Sequence, residues 1–143
     1  QVSHLPILDL AVNPAAHHIA AVTSDGLNTH YLTVWDWDAD QELYSLPLAQ
    51  VPLSMGYSPQ GTYLIFTKAE LKSVAILQAS TGRPLPYLTK SSGIVSSFVV
   101  ATSERNIMTY GPSGTIRYYD IKEGTELQSI KAAGALQADL EII

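Results

Sequence analysis

An all-β fold assembled from a repeated unit is what this sequence predicts, and three observations carry that expectation. Short runs rich in β-branched and aromatic residues follow one another along the chain, among them Ile7-Leu8-Asp9-Leu10-Ala11-Val12, Tyr63-Leu64-Ile65-Phe66-Thr67 and Thr115-Ile116-Arg117-Tyr118-Tyr119. Turn-forming clusters separate them about every 8 to 12 residues, as an all-β domain requires. Apolar character recurs at a spacing of 42 residues.

The recurrence is specific to four columns. Leu32, Val74 and Ile116 stand 42 apart, as do Trp35, Leu77 and Tyr119, then Leu43, Leu85 and Leu127, then Leu46, Leu88 and Ile130. Asp36 falls in register with Gln78 and Asp120, and Gly82 with Gly124, so the punctuation repeats along with the apolar pattern. Upstream, Val12-Asn13-Pro14 matches Tyr57-Ser58-Pro59 at a spacing of 45, which places three extra residues in the first unit, best accommodated at 25–30.

Element by element, the first unit has strands at 7–12, 18–23, 31–36 and 42–46, divided by Asn13-Pro14, by Asp25-Gly26 and by the aspartates after Trp35. The second has strands at 53–57, 62–67, 73–78 and 85–89, with Ser58-Pro59-Gln60-Gly61 and Ser80-Thr81-Gly82 as turns. In the third, strands at 94–99, 106–110, 115–120 and 126–130 are separated by Gly111-Pro112-Ser113-Gly114 and Lys122-Glu123-Gly124. Continuing by 42 from Ile94, Ser96, Phe98 and Val100 reaches Leu136, Ala138, Leu140 and Ile142, an alternating run that reads as the first strand of a fourth unit. The Ala, Leu, Gln and Glu content of 132–143 also makes this the one stretch compatible with a helix.

These residues resemble the WD-repeat β-propellers, whose units of ~40 to 45 residues are four-stranded antiparallel blades. The carriers are Tyr57-Ser58-Pro59-Gln60-Gly61-Thr62-Tyr63-Leu64, Leu32-Thr33-Val34-Trp35-Asp36, and, most specifically, the run from Gly114 to Gly124. No Gly-His pair precedes a blade, Leu77-Gln78 stands where a Trp-Asp would, and the third unit lacks the Ser-Pro turn, so the blades are degenerate and held mainly by apolar packing. The resemblance implies a partial propeller over 1–143, with blades at about 5–48, 50–90 and 92–132 and the start of a further blade at 133–143. Propellers close with roughly 4 to 8 blades, so three leave two uncovered faces. Two expectations follow: a piece of a longer propeller, favoured by the Gln1 start, or self-association of copies, with 136–142 as a strand to lend.

Composition narrows the chemistry. The 143 residues, 46% hydrophobic, suffice for one core, and with eight Lys and Arg scattered through a chain of net charge −5 there is no basic field for nucleic acid. The absence of cysteine removes disulfide, thiolate-metal and cysteine-nucleophile chemistry but leaves the compartment open. No apolar run approaches the ~20 residues of a membrane helix, so no membrane partner is expected.

The three aspartates of Leu32-Thr33-Val34-Trp35-Asp36-Trp37-Asp38-Ala39-Asp40 raise the question of calcium. A helix-flanked calcium loop wants Gly at its sixth place and a bidentate acid at its twelfth; counted from Asp36 these are Gln41 and Pro47. Asp36 therefore reads as a strand-terminal residue, Asp38 and Asp40 as turn solvation, and no metal or other cofactor is expected. His17 and His18 are adjacent on a strand and point to opposite faces, so they do not chelate together. Trp35 belongs to an apolar column and reads as core, whereas Trp37 faces the other way and covers an edge or marks a contact. No nucleophile elbow, phosphate loop or dinucleotide fingerprint occurs.

Without a convergent acid, base or nucleophile, the expected function is a noncatalytic protein interaction scaffold whose loops meet a protein partner. The loops joining second to third strands share one rim, and His30, Lys68, Lys72 and Tyr110 are its candidate contact residues. The alternative is the noncatalytic propeller portion of a larger enzyme, of the peptidase-gating or redox kind.

Overall fold

The computed structural model describes residues 6–27, 29–68, 73–86, 88 and 94–131. Eleven strands are present among them, and no helix. The expected strand at 136–142, and with it the helical option at 132–143, lies outside the described residues.

The first sheet contains β1 (Ile7–Val12), β2 (His18–Ser24), β3 (His30–Asp36) and β4 (Gln41–Leu48), paired antiparallel in chain order. The second holds β5 (Met55–Tyr57), β6 (Tyr63–Lys68) and β7 (Ser73–Gln78), and the third β8 (Ser97–Val100), β9 (Asn106–Tyr110), β10 (Thr115–Asp120) and β11 (Glu126–Lys131). Each sheet is thus a meander of nearest-neighbour hairpins, the arrangement that short turns permit.

Two expectations need correction. Among the described residues of the expected fourth strand at 85–89, namely 85, 86 and 88, no regular strand is seen; the edge shows a bridge between Leu77 and Pro84, with the Leu85 amide donating to the Ile76 carbonyl at 2.8 Å. Pro84 and Pro86 lack the amide hydrogens that a continuous ladder needs, so pairing stops after one turn of the edge. The three extra residues of the first unit are not confined to the loop. Its β2–β3 hairpin spans 18–36 where the equivalent β6–β7 hairpin spans 63–78, and both strands as well as the loop are longer.

The core lies between sheets rather than inside any one of them. Ala20, Val22, Leu32 and Val34 of the first sheet meet Leu64, Phe66, Ala75 and Leu77 of the second. On the other side of the second sheet Tyr63, Ile65, Val74 and Ile76 meet Ile107, Tyr119 and Ile121 of the third. Successive residues of a strand point to opposite faces, so the middle sheet, buried on both, reads as an unbroken apolar run, and Tyr63 through Thr67 are all buried. The outer sheets bury one face each.

The third-to-fourth strand turn is fixed by a left-handed residue, which is Asp40 (φ 52°), Gly82 (φ 77°) and Gly124 (φ 73°) in successive sheets. At Gly82 the ring of Tyr44 leaves no space: a Cβ would stand 2.7 Å from it. The Tyr44 hydroxyl then donates to the Ala79 carbonyl at 2.8 Å, tying the last strand of the first sheet to the turn of the second. Burial pushes the Tyr44 phenol up to about 12. Tyr44→Phe is expected to lower stability by ~1 kcal/mol at neutral pH, the usual net worth of one such bond, read as a shift in the urea midpoint. Because the folded phenol ionises above its unfolded value of 10.0, its favourable contribution is complete below that pH and is lost as pH rises through the folded value. The phenylalanine variant should lack that alkaline component.

Candidate interaction rim

The connections from second to third strands emerge at one end of each hairpin, and three of the four candidate contact residues are placed there. His30 opens β3 opposite Ser24 and Leu48, Lys68 closes β6 opposite Ser73, and Tyr110 closes β9 opposite Ile116 and Ser97. Lys72 lies outside the described residues. In the first of these connections the Asp25 carboxylate accepts from the Leu27 amide at 2.7 Å and the Thr29 amide at 3.1 Å. The Leu27 bond chiefly holds its pKa below the ordinary carboxylate range. The loop is thereby folded onto itself by its own aspartate.

Between the sheets at this rim is a groove of about 230 Å³ walled by Leu48, Val51, Leu53, Phe66, Ile94 and the stem of Lys68. Val51, Leu53 and Ile94 are exposed, so apolar surface beside a cation is open to solvent. His30 pairs in register with Leu48 of this wall and shares the face of Leu32 and Val34, which is turned to the second sheet. Its Nδ1 is buried with no hydrogen-bond partner among the described residues. Tyr110 is 43% exposed but sits in register with Ile116, on the face of the third sheet turned away from the groove. The geometry therefore brings Lys68 and His30 towards one groove and leaves Tyr110 apart.

The aspartates after Trp35 make a turn. Asp36 Oδ1 accepts from the amides of Asp38 at 3.0 Å and Ala39 at 3.1 Å, and Asp120, in the same repeat column, accepts from the Glu123 amide at 2.8 Å. Asp40 supplies the left-handed residue. Two His–Asp contacts lean on this turn, His18 Nε2 at 3.9 Å from Asp36 and His17 Nδ1 at 3.8 Å from Asp38, while the His17 and Trp37 rings lie 5.3 Å apart. The arrangement gives Asp36 backbone and His partners and Asp38 a His partner, and no group of three or more acid or His ligands converges among the described residues.

Trp35 corrects the expectation of a core tryptophan. It is half-buried and lines an open groove of about 470 Å³ on the outer face of the first sheet, with Ile19, Tyr31, Thr33 and Trp37. The reason is positional: its column-mates Leu77 and Tyr119 are 4% and 1% exposed because each faces the neighbouring described sheet, whereas no described sheet packs on the outer face of the first.

Sequence reasoning overlooked the polar contacts that join the sheets at the opposite rim. The Asn13 amide nitrogen donates to the Gly61 carbonyl at 3.1 Å. Glu104, only 8% exposed and at φ 62°, accepts at Oε2 from the Gln60 amide at 2.9 Å and at Oε1 from the Thr62 hydroxyl at 2.5 Å. Burial pushes the pKa of this carboxyl up, but hydrogen bonds from Ser58, Thr62 and Gln60 outweigh it and hold the pKa below the ordinary range. Asn13 had a signal in its turn; Glu104 had none, because its partners are 42 and 44 residues away.

Comparison with known proteins agrees with this architecture. The TP_0598_N family, an N-terminal beta-propeller domain, matches residues 1–141. A curated protein of Treponema pallidum (strain Nichols), described as uncharacterized, is 26% identical over 130 residues, covering 91% of this chain and 21% of that protein, so the chain spans about a fifth of its relative. Among solved structures, U3-55K and the RRP9 WD40 repeats each superimpose with a TM-score of 0.73 at 18% identity, over 91% of this chain and 40% of theirs. Hydrazine synthase of Kuenenia stuttgartiensis gives a TM-score of 0.70 at 16% identity, over 92% of this chain and 37% of that one. At such identities the likeness is one of fold.

Proposed function

The chain belongs to the TP_0598_N family of N-terminal β-propeller domains, and on that premise we propose that it is a noncatalytic protein interaction module, a partial WD-repeat propeller whose second-to-third strand rim receives a protein partner. The observation that carries the reading is the groove beside Lys68, in which exposed Val51, Leu53 and Ile94, all in connections between strands, line the same groove as the cation that closes β6. Such a site suits an extended peptide that lays an apolar side chain between two sheets and sets a carboxylate against the Lys68 ammonium. His30 flanks it, and Tyr110 stands apart on the third sheet. Nucleic acid and membrane are not proposed as partners; proteins are, other copies of this chain among them.

Photo-crosslinking side chains placed at 68 and, on the opposite rim, at 60 test this reading in an extract of the producing cell. One protein should be captured from 68 and not from 60, and Leu53→Asp should reduce that capture about tenfold, the worth of one apolar anchor. Capture of the same proteins from both positions would sink the proposal.

A second reading, the noncatalytic portion of a larger enzyme, is favoured by one observation, that the chain spans 21% of its Treponema relative. Sequencing the full gene product separates the two: a hydrolase or redox signature outside the blades supports the enzyme, further 42-residue units alone support the scaffold.

A further inference from the structure

The groove between the first two sheets has a charge pattern that narrows what it receives. Among the described residues its lining holds a single charge, the Lys68 ammonium, with the Gln50 amide as a neutral donor and no acid. Neither the His–Asp contacts nor the Arg117–Glu126 pair engages Lys68. Ser73 stands directly opposite it across the β6–β7 ladder, so both side chains lie on the face that Phe66 and Ala75 turn to the first sheet. The Ser73 hydroxyl is buried with no hydrogen-bond partner among the described residues, and the residue is 3% exposed. A cation and a donor without an acceptor thus share one face beside an apolar wall, which suits an anion with an apolar body.

We propose that this groove captures the C-terminal residue of a partner polypeptide, with its free α-carboxylate on Lys68 and its apolar side chain against Val51, Leu53 and Phe66. The inference deepens the reading of the rim as a protein site and rests on it. Size and direction favour a chain end over an internal acidic stretch. About 230 Å³ is less than the roughly 300 to 1,000 Å³ of a pocket for a drug-sized ligand, so one large side chain with its carboxylate fills it. In an extended segment neighbouring side chains point to opposite faces, and those sharing a face stand ~6.7 Å apart, so an internal acid and an internal apolar residue do not enter one small groove together. A C-terminal residue carries both groups on one Cα. Donors for its second carboxylate oxygen are at hand in the Gln50 amide and, across the ladder from Lys68, the Ser73 hydroxyl. One cation then meets one negative charge.

Peptides displayed with free C-termini and randomised over their last residues, selected on this chain, test the inference. The selected peptides should end in an apolar residue, and synthetic versions should bind about tenfold more weakly by fluorescence anisotropy once the terminus is amidated. Lys68→Met keeps the apolar stem and removes the charge. In that variant the free acid should bind as weakly as the amide binds the parent, and amidation should make no further difference. Ser73→Ala should weaken binding of the free acid and spare the amide. Selected peptides that bind equally well as amides, or whose anchors are internal acids, would overturn terminal capture while leaving the rim as a protein site. A selection in which no peptide is weakened by Leu53→Asp would overturn it as well, and crosslinking from position 68 decides separately whether the rim still receives a protein.

Discussion

Leu64→Ala and Ile65→Ala should each cost about 3 to 4 kcal/mol, near the middle of the range for deleting a large buried aliphatic side chain. For a chain of this size the melting midpoint should fall by roughly 10 °C in each case. The two residues are neighbours on β6, both at 0% exposure, and they point into different cores: Leu64 to the first sheet and Ile65 to the third. Truncation of either leaves a cavity between two sheets that are paired only within themselves, so collapse to refill it would disturb hydrogen-bonded ladders on both sides. On the outer sheets the same pairwise test gives an asymmetric result. Ile107→Ala should be as costly as Leu64→Ala, whereas Met108→Ala, at a residue 40% exposed, should cost less than about 1 kcal/mol in the isolated chain. Equal sensitivity at positions 107 and 108 would mean that the third sheet is covered on both faces.

That asymmetry also marks what was legible in the sequence. The 42-residue recurrence identifies which positions are apolar, and strand alternation identifies which of them share a face, so the strands of the first sheet and the last three of the third could be read directly, whereas β8 was expected at 94–99 and spans Ser97–Val100. What the recurrence does not contain is whether a neighbour is present. Trp35, Leu77 and Tyr119 are equivalent in the pattern, yet only the last two are covered, and the difference lies in the position of their sheet along the chain. The lack of regular pairing at the described residues 85 and 86 was legible in principle from Pro84 and Pro86, but the apolar column through Leu85 and Leu88 outweighed them. Of the rim, the pattern located His30, Lys68 and Tyr110 on equivalent hairpin ends; it did not show that Tyr110 faces away from the Lys68 groove, because that depends on the register of β9 against β10. Least legible were the polar ties between sheets, which depend on single side chains reaching across dozens of residues.

Glu104 is the strongest of those ties, and its replacement should make the pH dependence of stability visible. The carboxylate satisfies the Gln60 amide and the Thr62 hydroxyl across the junction of second and third sheets. Glu104→Gln keeps the shape, removes the charge and turns an amide NH₂ towards groups that themselves donate. A loss of about 2 kcal/mol at pH 7 is expected, in the range for hydrogen bonds to a charged acceptor. Since the folded pKa lies below the ordinary value of 4.5, the folded protein holds this proton less readily than the unfolded chain. The stabilisation is therefore complete above the unfolded value and is lost as pH falls through the folded one. Other carboxylates titrate in the same interval, so the informative quantity is the difference between parent and variant in urea midpoints measured in parallel. It should be greatest at neutral pH and shrink progressively as the pH is taken below 4.5, where a protonated Glu104 and a glutamine present similar groups to the Ser58–Thr62 turn. A difference that stays constant across that interval would show that Glu104 contributes by shape alone and that its charge has no part in holding the second and third sheets together.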